Sequence, residues 1–184
     1  MGPIGHCAIA MAAKPFAPKV PVGILLLATL LLDFLAVGFT YIGIEGGEKV
    51  GNPWSHGLLM SLIWSIIAAL LAGAVYRSYR SGAVVGFAVF SHWILDFISH
   101  PIPFPNFSWR TWQWDNGHAL PPDLPLLLAN SRRVGLGLYN SISAVAATEL
   151  EIAMFVVGTA IYVTHRVFQQ RSRRQQTLRS HAHE

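Results

Sequence analysis

The chain has 184 residues, of which 53% are hydrophobic and only 12% are charged. Soluble chains carry about 25% charged residues, so this composition excludes an ordinary water-soluble globule and favours one membrane domain over residues 1–184. The formal net charge is +4, and five arginines lie near the C-terminus. Such a tail suits membrane lipids better than nucleic acid, so we expect lipids and no nucleic acid as partners. The lone Cys7 excludes an internal disulfide and a thiolate metal cluster.

Four apolar windows meet or approach the roughly 20 residues that a helix needs to cross a bilayer. They cover residues 22–42, 57–76, 82–99 and 145–163. A shorter apolar stretch, residues 3–13, is followed by Lys14 and three prolines, which predicts a half-helix hairpin within residues 1–20. Asp33 interrupts the first long run, and no convincing small-residue cleavage site follows, so we expect no signal-peptide removal. The predicted fold is an all-α polytopic membrane bundle of four transmembrane helices plus this half-helix.

The distribution of positive charge predicts the orientation of these spans. Counted on alternate sides of the spans, nine lysines and arginines lie on one side and four on the other. The positive-inside rule places the richer side in the cytoplasm, together with the basic tail 166–184. The long connection 101–144 then faces outward. Its Phe and Trp residues predict an aromatic belt at the membrane interface, with a lid over a site as the alternative.

Ionisable residues within predicted spans are expensive, at least about 2.5–3.5 kcal/mol each. A helix rises about 1.5 Å per residue, and on this scale the ionisable residues within the predicted spans all fall in the outer half of the predicted bilayer. The predicted spans contain no Lys or Arg to neutralise the acids, so a divalent cation or protonation is the remaining way to hold them. The predicted metal ligands are His6, Asp33, His56, His92 and Asp96.

Spacing supports the same grouping. His92, Asp96 and His100 recur at every fourth residue and therefore lie along one stripe of a helix. His56 stands where its span begins, with Ser55 as a candidate N-cap. Imidazoles together with carboxylates suit Zn²⁺ best, with Mn²⁺ or Fe²⁺ as alternatives.

The last span carries two acids, Glu149 and Glu151, which point about 200° apart on a helix. At most one of them faces the interior. We expect this one to be Glu149, with Glu151 as the partner of a cationic side chain elsewhere.

Four segments together resemble a known family: Gly5-His6, Leu31-Leu32-Asp33, PWSHGLL at 53–59 and SHWILD at 91–96. In this order they resemble the LexA-regulated inner-membrane metal-dependent hydrolases. PDLPL at 122–126 and VGLGLYNS at 134–141 make the chain more similar still to uncharacterised bacterial relatives of that family. The likeness covers most of residues 4–165. It implies a multi-pass protein of the bacterial inner membrane whose His and Asp residues bind metal, with hydrolase activity by analogy. Residues 101–121 depart from the pattern as an insertion.

The expected function is therefore metal-dependent hydrolysis of a lipid or lipid-linked ester or phosphoester, reached from the outer leaflet. A bound metal would lower the pKa of water and polarise an acyl or phosphoryl oxygen. Glu149 is the expected general base, and His100 is the other catalytic candidate. Arg132 and Arg133 could bind an anionic head group or act as ordinary interfacial anchors.

Three other functions fit parts of the pattern. His56 and His92 could hold a haem, although a haem would not explain the carboxylates. A cation-coupled transporter would use membrane acids and histidines as a relay, but such groups should continue to the inner face. A non-enzymatic accessory or scaffold subunit is the third alternative.

Overall fold

The computed structural model describes residues 1–45, 52–99 and 136–181, and every regular element in these ranges is helical. Short 3₁₀ turns cover Lys14–Phe16 and Leu138–Ser141. The α-helices are α1 (Pro3–Ala13), α2 (Val22–Thr29), α3 (Leu31–Tyr41), α4 (Pro53–His56), α5 (Leu58–Val75), α6 (Tyr79–Ser99) and α7 (Ala144–His181). The all-helical prediction is thus confirmed for the described residues, and α1 coincides with the predicted half-helix.

Three helices are long and apolar enough to cross a membrane, namely α5, α6 and the part of α7 up to Gln176. The predicted first span is instead a bent pair, because α2 and α3 meet at an angle of 55°. Leu30, between them, departs from helical geometry with φ −105° and ψ 4°. The pair therefore forms either one broken span or a re-entrant loop, and the described residues contain no fourth straight helix long and apolar enough to cross a membrane.

The last helix is longer than predicted. It continues without a break from Ala144 to His181, well past the expected end at Val163. Much of the basic tail is therefore a helical extension of the last span. At about 1.5 Å per residue, α7 is on the order of 57 Å long, nearly twice the thickness of a bilayer core.

Glycines allow close contacts between helices. A Cβ added at Gly82 of α6 would lie 2.5 Å from the Ala69 carbonyl oxygen of α5, and one at Gly86 would lie 2.8 Å from the Ser65 carbonyl oxygen. Gly158 of α7 lies against the backbone of Ala8 in α1 in the same way. Small residues at such crossings let membrane helices approach closely. These contacts fix α6 against α5 and α1 against α7.

The apolar core lies where α2 and α6 meet. Leu25, Leu32, Ala88 and Val89 are fully buried there. The buried ionisable side chains lie towards one end of this core, on elements that the core and the glycine contacts hold in place.

Candidate metal centre

Five side chains from four helices converge at this end of the bundle. His6 comes from α1, Asp33 from α3, His56 from the end of α4, and His92 and Asp96 from α6. The three imidazoles and Asp96 are at most 1% exposed, whereas the side chain of Asp33 is 34% exposed. The structure therefore brings together all five residues that the sequence predicted as ligands, and Asp33 lies on the accessible side.

Two imidazoles face the same two carboxylates. Nε2 of His56 lies 3.5 Å from Oδ1 of Asp33 and 3.9 Å from Oδ2 of Asp96. Nε2 of His92 lies 3.6 Å from each of these oxygens. Ligand atoms bound at about 2.1 Å to one tetrahedral ion would be separated by roughly 3.4 Å. The observed separations are within about half an ångström of that value, so a modest contraction would allow these atoms to share one ion.

His6 completes the cluster from the other side of His92. The two rings stack with their centroids 3.8 Å apart, and Nε2 of His6 lies 3.4 Å from Oδ1 of Asp96. His6, His92 and Asp96 form one group able to hold a metal ion, and Asp33, His56 and His92 form a second. His92 belongs to both groups, which makes it the central residue of the cluster.

The tautomer of His92 follows from the contact that its other ring nitrogen, Nδ1, makes. Nδ1 lies 2.7 Å from the carbonyl oxygen of Thr29 at the end of α2. A carbonyl oxygen can only accept a hydrogen bond, so Nδ1 carries the hydrogen, and neutral His92 presents the Nε2 lone pair to the cluster.

His56 is oriented through a longer chain of hydrogen bonds. Ser55 donates its backbone N–H to Oε1 of Glu45 at 2.7 Å and its hydroxyl hydrogen to Oε2 at 2.8 Å. The hydroxyl oxygen, 2.8 Å from Nδ1 of His56, is then free to accept the Nδ1–H of that ring. His56 therefore also presents an Nε2 lone pair to the cluster.

These two Nε2 atoms show that the residues fit a metal ion. Both are buried and have no hydrogen-bond partner among the residues that the structure describes, and unpartnered buried polar atoms are rare and costly. A hydrogen-bonded carboxylate or carbonyl behind a ligating histidine is also the usual arrangement around protein-bound metals. Imidazole nitrogens with carboxylate oxygens form a ligand set for Zn²⁺, and for Mn²⁺ or Fe²⁺.

Sequence reasoning missed Glu45. It lies after α3 rather than within a predicted span, so neither membrane depth nor helical periodicity selects it. The available signal was an acid in the connection that leads to Ser55-His56. Its burial, at 6% exposed, and its two bonds to Ser55 identify it as part of the centre.

The expectation for the two acids of α7 is corrected by the structure. Glu149 is exposed, and Glu151 is the buried acid. The face of α7 that packs on α1 contains Ala147, Glu151 and Gly158, and Glu149 is turned about 200° from Glu151. Glu149 therefore cannot act as a base inside the bundle.

The sequence suggested a cationic partner for Glu151, but among the described residues its hydrogen-bond partners are neutral. Its carboxylate accepts hydrogen bonds from the backbone N–H groups of Gly2 at 2.6 Å and Gly5 at 3.4 Å, and from the hydroxyl of Tyr139 at 3.0 Å. The first N–H groups of a helix lack partners within the helix and attract negative charge. Glu151 therefore holds the start of α1, and with it His6, in place.

The N-terminal ammonium group also lies beside the cluster. It donates to Oδ1 of Asp96 at 2.8 Å and to Oγ of Ser99 at 2.7 Å. Oδ1 and Oδ2 of Asp96 thus have different neighbours, since Oδ2 faces His56 and His92.

Three other predicted site residues, His100, Arg132 and Arg133, lie outside the described residues, as does most of the predicted aromatic loop.

The haem alternative is not compatible with the ring positions. The His56 and His92 ring centroids are 5.2 Å apart with both Nε2 atoms turned to the same carboxylates, which leaves no space for a macrocycle between them.

Models of protein families, curated proteins and solved structures were compared with this chain, and none of them matches it.

Proposed function

We propose that this chain is an integral membrane protein that binds a divalent cation, with Zn²⁺ the best fit, and uses it to hydrolyse an ester or phosphoester of a lipid or lipid-linked substrate. One observation carries the proposal. The Nε2 atoms of His56 and His92, each with its proton fixed on the opposite ring nitrogen, point at the same pair of carboxylates in a buried site.

The membrane arrangement forms part of the proposal. The bent pair α2–α3 would be the fourth crossing, with the C-terminus in the cytoplasm of a bacterium. The positions of basic residues support this orientation. Lys14 and Arg166 line one cavity, and Arg80 lies beside Phe16 at the same end, whereas the His and Asp cluster lies at the other end. The positive-inside rule would then place the cluster towards the outer leaflet.

The residues of the cluster have different tasks in this proposal. His56, His92 and Asp96 are fully buried and hold the ion, which would act as a Lewis acid and a source of nucleophilic water at neutral pH. Asp33 supplies a further ligand oxygen on the accessible side. A substrate must therefore approach past Asp33. Glu149 is exposed on the outside of the bundle and therefore has no role as general base in this proposal.

Metal binding is tested by elemental analysis of the purified full-length protein. We expect about one ion per chain, as in a single-ion His and carboxylate site, and loss of this ion in His92→Ala. His165→Ala is the matched control, because His165 lines the cavity at the opposite end of the bundle. Metal retained in His92→Ala, or absent from the unmodified protein after Zn²⁺ is supplied, would refute the proposed centre.

Hydrolysis requires a separate test. The protein is reconstituted in nanodiscs containing phospholipids and lipid-linked phosphates, and products are followed by mass spectrometry with chelator, without it, and after Zn²⁺ is restored. We expect turnover that chelation abolishes and Zn²⁺ restores. Bound metal without turnover of any of these lipids would leave the metal centre standing and refute the hydrolase.

A further inference from the structure

A cavity lined mainly by basic and polar side chains lies at the opposite end of the bundle from the histidine cluster. It has a volume of about 490 Å³ and lies between the turn after α1, the start of α2 and the C-terminal half of α7. Its lining includes Lys14, Tyr162, His165, Arg166, Gln169 and Arg173. Arg166 is fifteen residues beyond Glu151 on α7, or roughly 22 Å along the helix axis. The cavity is therefore separate from the proposed metal centre.

Lys14, which lines this cavity, is held in place by hydrogen bonds to backbone carbonyl groups. Its ammonium group donates to the carbonyl oxygens of Pro18 at 2.8 Å and Val20 at 2.6 Å, with a longer contact to Ala17 at 3.4 Å. These bonds fix the position of a positive charge instead of leaving it on a free side chain.

A second positive charge faces the first. Burial and the nearby Arg166 guanidinium lower the pKa of Lys14. Arg166 is itself held by Tyr162, one turn away, whose hydroxyl accepts a hydrogen bond from it at 3.1 Å. None of the described residues that line the cavity is Asp or Glu, so the protein gathers positive charge here without placing an acid among these residues.

The chemistry of the lining indicates a phosphate group. Guanidinium groups bind phosphate oxygens in a bidentate manner, ammonium groups bind them as point charges, and amides add neutral hydrogen bonds. The volume is typical of a small-molecule site and exceeds what one inorganic phosphate would fill.

An apolar groove adjoins this cavity. It is lined by Pro15, Phe16, Ile161 and Phe168, among others, and it shares His165 with the basic cavity. A basic cavity next to an apolar groove matches the two parts of a phospholipid, a charged head group and an acyl chain. Both lie where α7 changes from an apolar to a basic sequence, which is the level of head groups for a membrane-spanning helix.

We propose that this cavity binds the phosphate of an anionic phospholipid, with Arg166 as the principal contact, the fixed positive charge of Lys14 beside it, and the acyl chain in the groove beside Phe16 and Phe168. The site does not depend on the proposed hydrolase, since it shares no residue with the histidine cluster.

The test measures lipid binding to the full-length protein in neutral detergent by native mass spectrometry. Phosphatidylglycerol should bind, phosphatidylcholine should bind more weakly, and Arg166→Gln and Lys14→Gln should each weaken phosphatidylglycerol binding roughly tenfold. Arg171→Gln is the matched control. It removes the same charge from the same helix, but its side chain points about 140° away from Arg166, and we expect less than about a twofold change.

Three results would overturn the proposal. An equal loss in Arg171→Gln would show that only net charge matters. Equal binding of the two lipids would remove the head-group selectivity. Inorganic phosphate that competes as well as the lipid, with the same dependence on Arg166, would identify a site for free phosphate instead. If Lys14→Gln fails to fold because its bonds to the turn are lost, Arg166→Gln decides, since its contact with Tyr162 is exposed.

Discussion

His92 donates its Nδ1–H to the carbonyl oxygen of Thr29 at 2.7 Å, and this bond joins the centre of the histidine cluster to the end of α2. The last carbonyl groups of a helix lack partners within the helix. The break at Leu30 thus makes the Thr29 carbonyl available to His92, and it starts α3, which carries Asp33 to the same cluster. The bend between α2 and α3 and the geometry of the proposed metal centre are therefore parts of one arrangement.

The first prediction follows from this shared geometry. Asp33→Asn and His92→Ala should each empty the metal site, and the double variant should lose little more stability than either single variant, because both residues act through one ion. Metal content and thermal unfolding of the three variants check this. If the residues made only separate hydrogen bonds, the losses would add, at about 0.6 kcal/mol for each contact between membrane helices.

The second prediction concerns Glu45, which acts as a positioning residue through Ser55. Glu45→Gln replaces an oxygen acceptor with an amide that can also donate, so Ser55 no longer fixes the hydrogen on Nδ1 of His56. We expect Zn²⁺ affinity to fall about 10- to 100-fold, the usual effect of losing such a partner. Competition with a chelator of known affinity measures it.

Glu149→Gln is the control for this experiment, since Glu149 is an exposed acid. It should leave Zn²⁺ affinity unchanged. Ser55→Ala should reproduce the effect of Glu45→Gln, because it breaks the same chain at its middle member. Full affinity in both Glu45→Gln and Ser55→Ala would show that the chain does not orient His56.

Sequence reasoning identified the members of the cluster because they are easy to recognise in an apolar chain. Charges and histidines within hydrophobic spans are costly, and the rise of a helix gives each of them an approximate depth. The sequence alone therefore allowed His6, Asp33, His92 and Asp96 to be grouped. Depth alone cannot give the direction of a side chain around its helix. The choice of Glu149 over Glu151 failed for that reason, since the orientation of α7 is set by the contact of Gly158 with Ala8.

The break at Leu30 was also beyond sequence reasoning. Residues 22–42 form an apolar run that is interrupted by Asp33 but contains neither proline nor an obvious helix stop after Pro21. The bend is a tertiary effect, in which the bond from His92 to Thr29 and the burial of Leu25 and Leu32 stabilise a geometry that local propensity does not specify.

The third prediction is a pH dependence set by Tyr139. Burial and the hydrogen bond to Glu151 raise the pKa of this phenol above its ordinary value of about 10. The folded state then binds the phenolic proton more tightly than the unfolded state. This contribution to stability is fully present below about pH 10 and is lost as the pH rises towards the higher pKa of the folded state.

At neutral pH, Tyr139→Phe should therefore unfold at a lower temperature than the unmodified protein, because it loses a hydrogen bond to a charged group that contributes about 1.5–3 kcal/mol. The difference in stability should shrink above about pH 10. Tyr79→Phe serves as the control, because Tyr79 is 98% exposed. Thermal unfolding of both variants between neutral and alkaline pH provides the measurement. A constant difference across the whole range would contradict the assignment of the raised pKa to Tyr139.

The fourth prediction tests the contact that positions α6, and hence His92 and Asp96. A methyl group at Gly82 would lie 2.5 Å from the carbonyl oxygen of Ala69 and 3.0 Å from Cα of Gly73. Both neighbours are backbone atoms, so α6 must move away from α5. Gly82→Ala should therefore destabilise the protein by about 1–3 kcal/mol, the usual cost of overpacking. Gly38→Ala is the matched control, since an added Cβ there meets no atom of the described part of the chain within 4 Å, and it should stabilise α3 by up to about 1 kcal/mol. Unfolding temperature and bound metal are measured on both variants.

Because the shift would move the ligands of α6 relative to Asp33 and His56, Gly82→Ala should also weaken metal binding. Equal stability and equal metal content in the two variants would show that the close approach of α5 and α6 does not position the site.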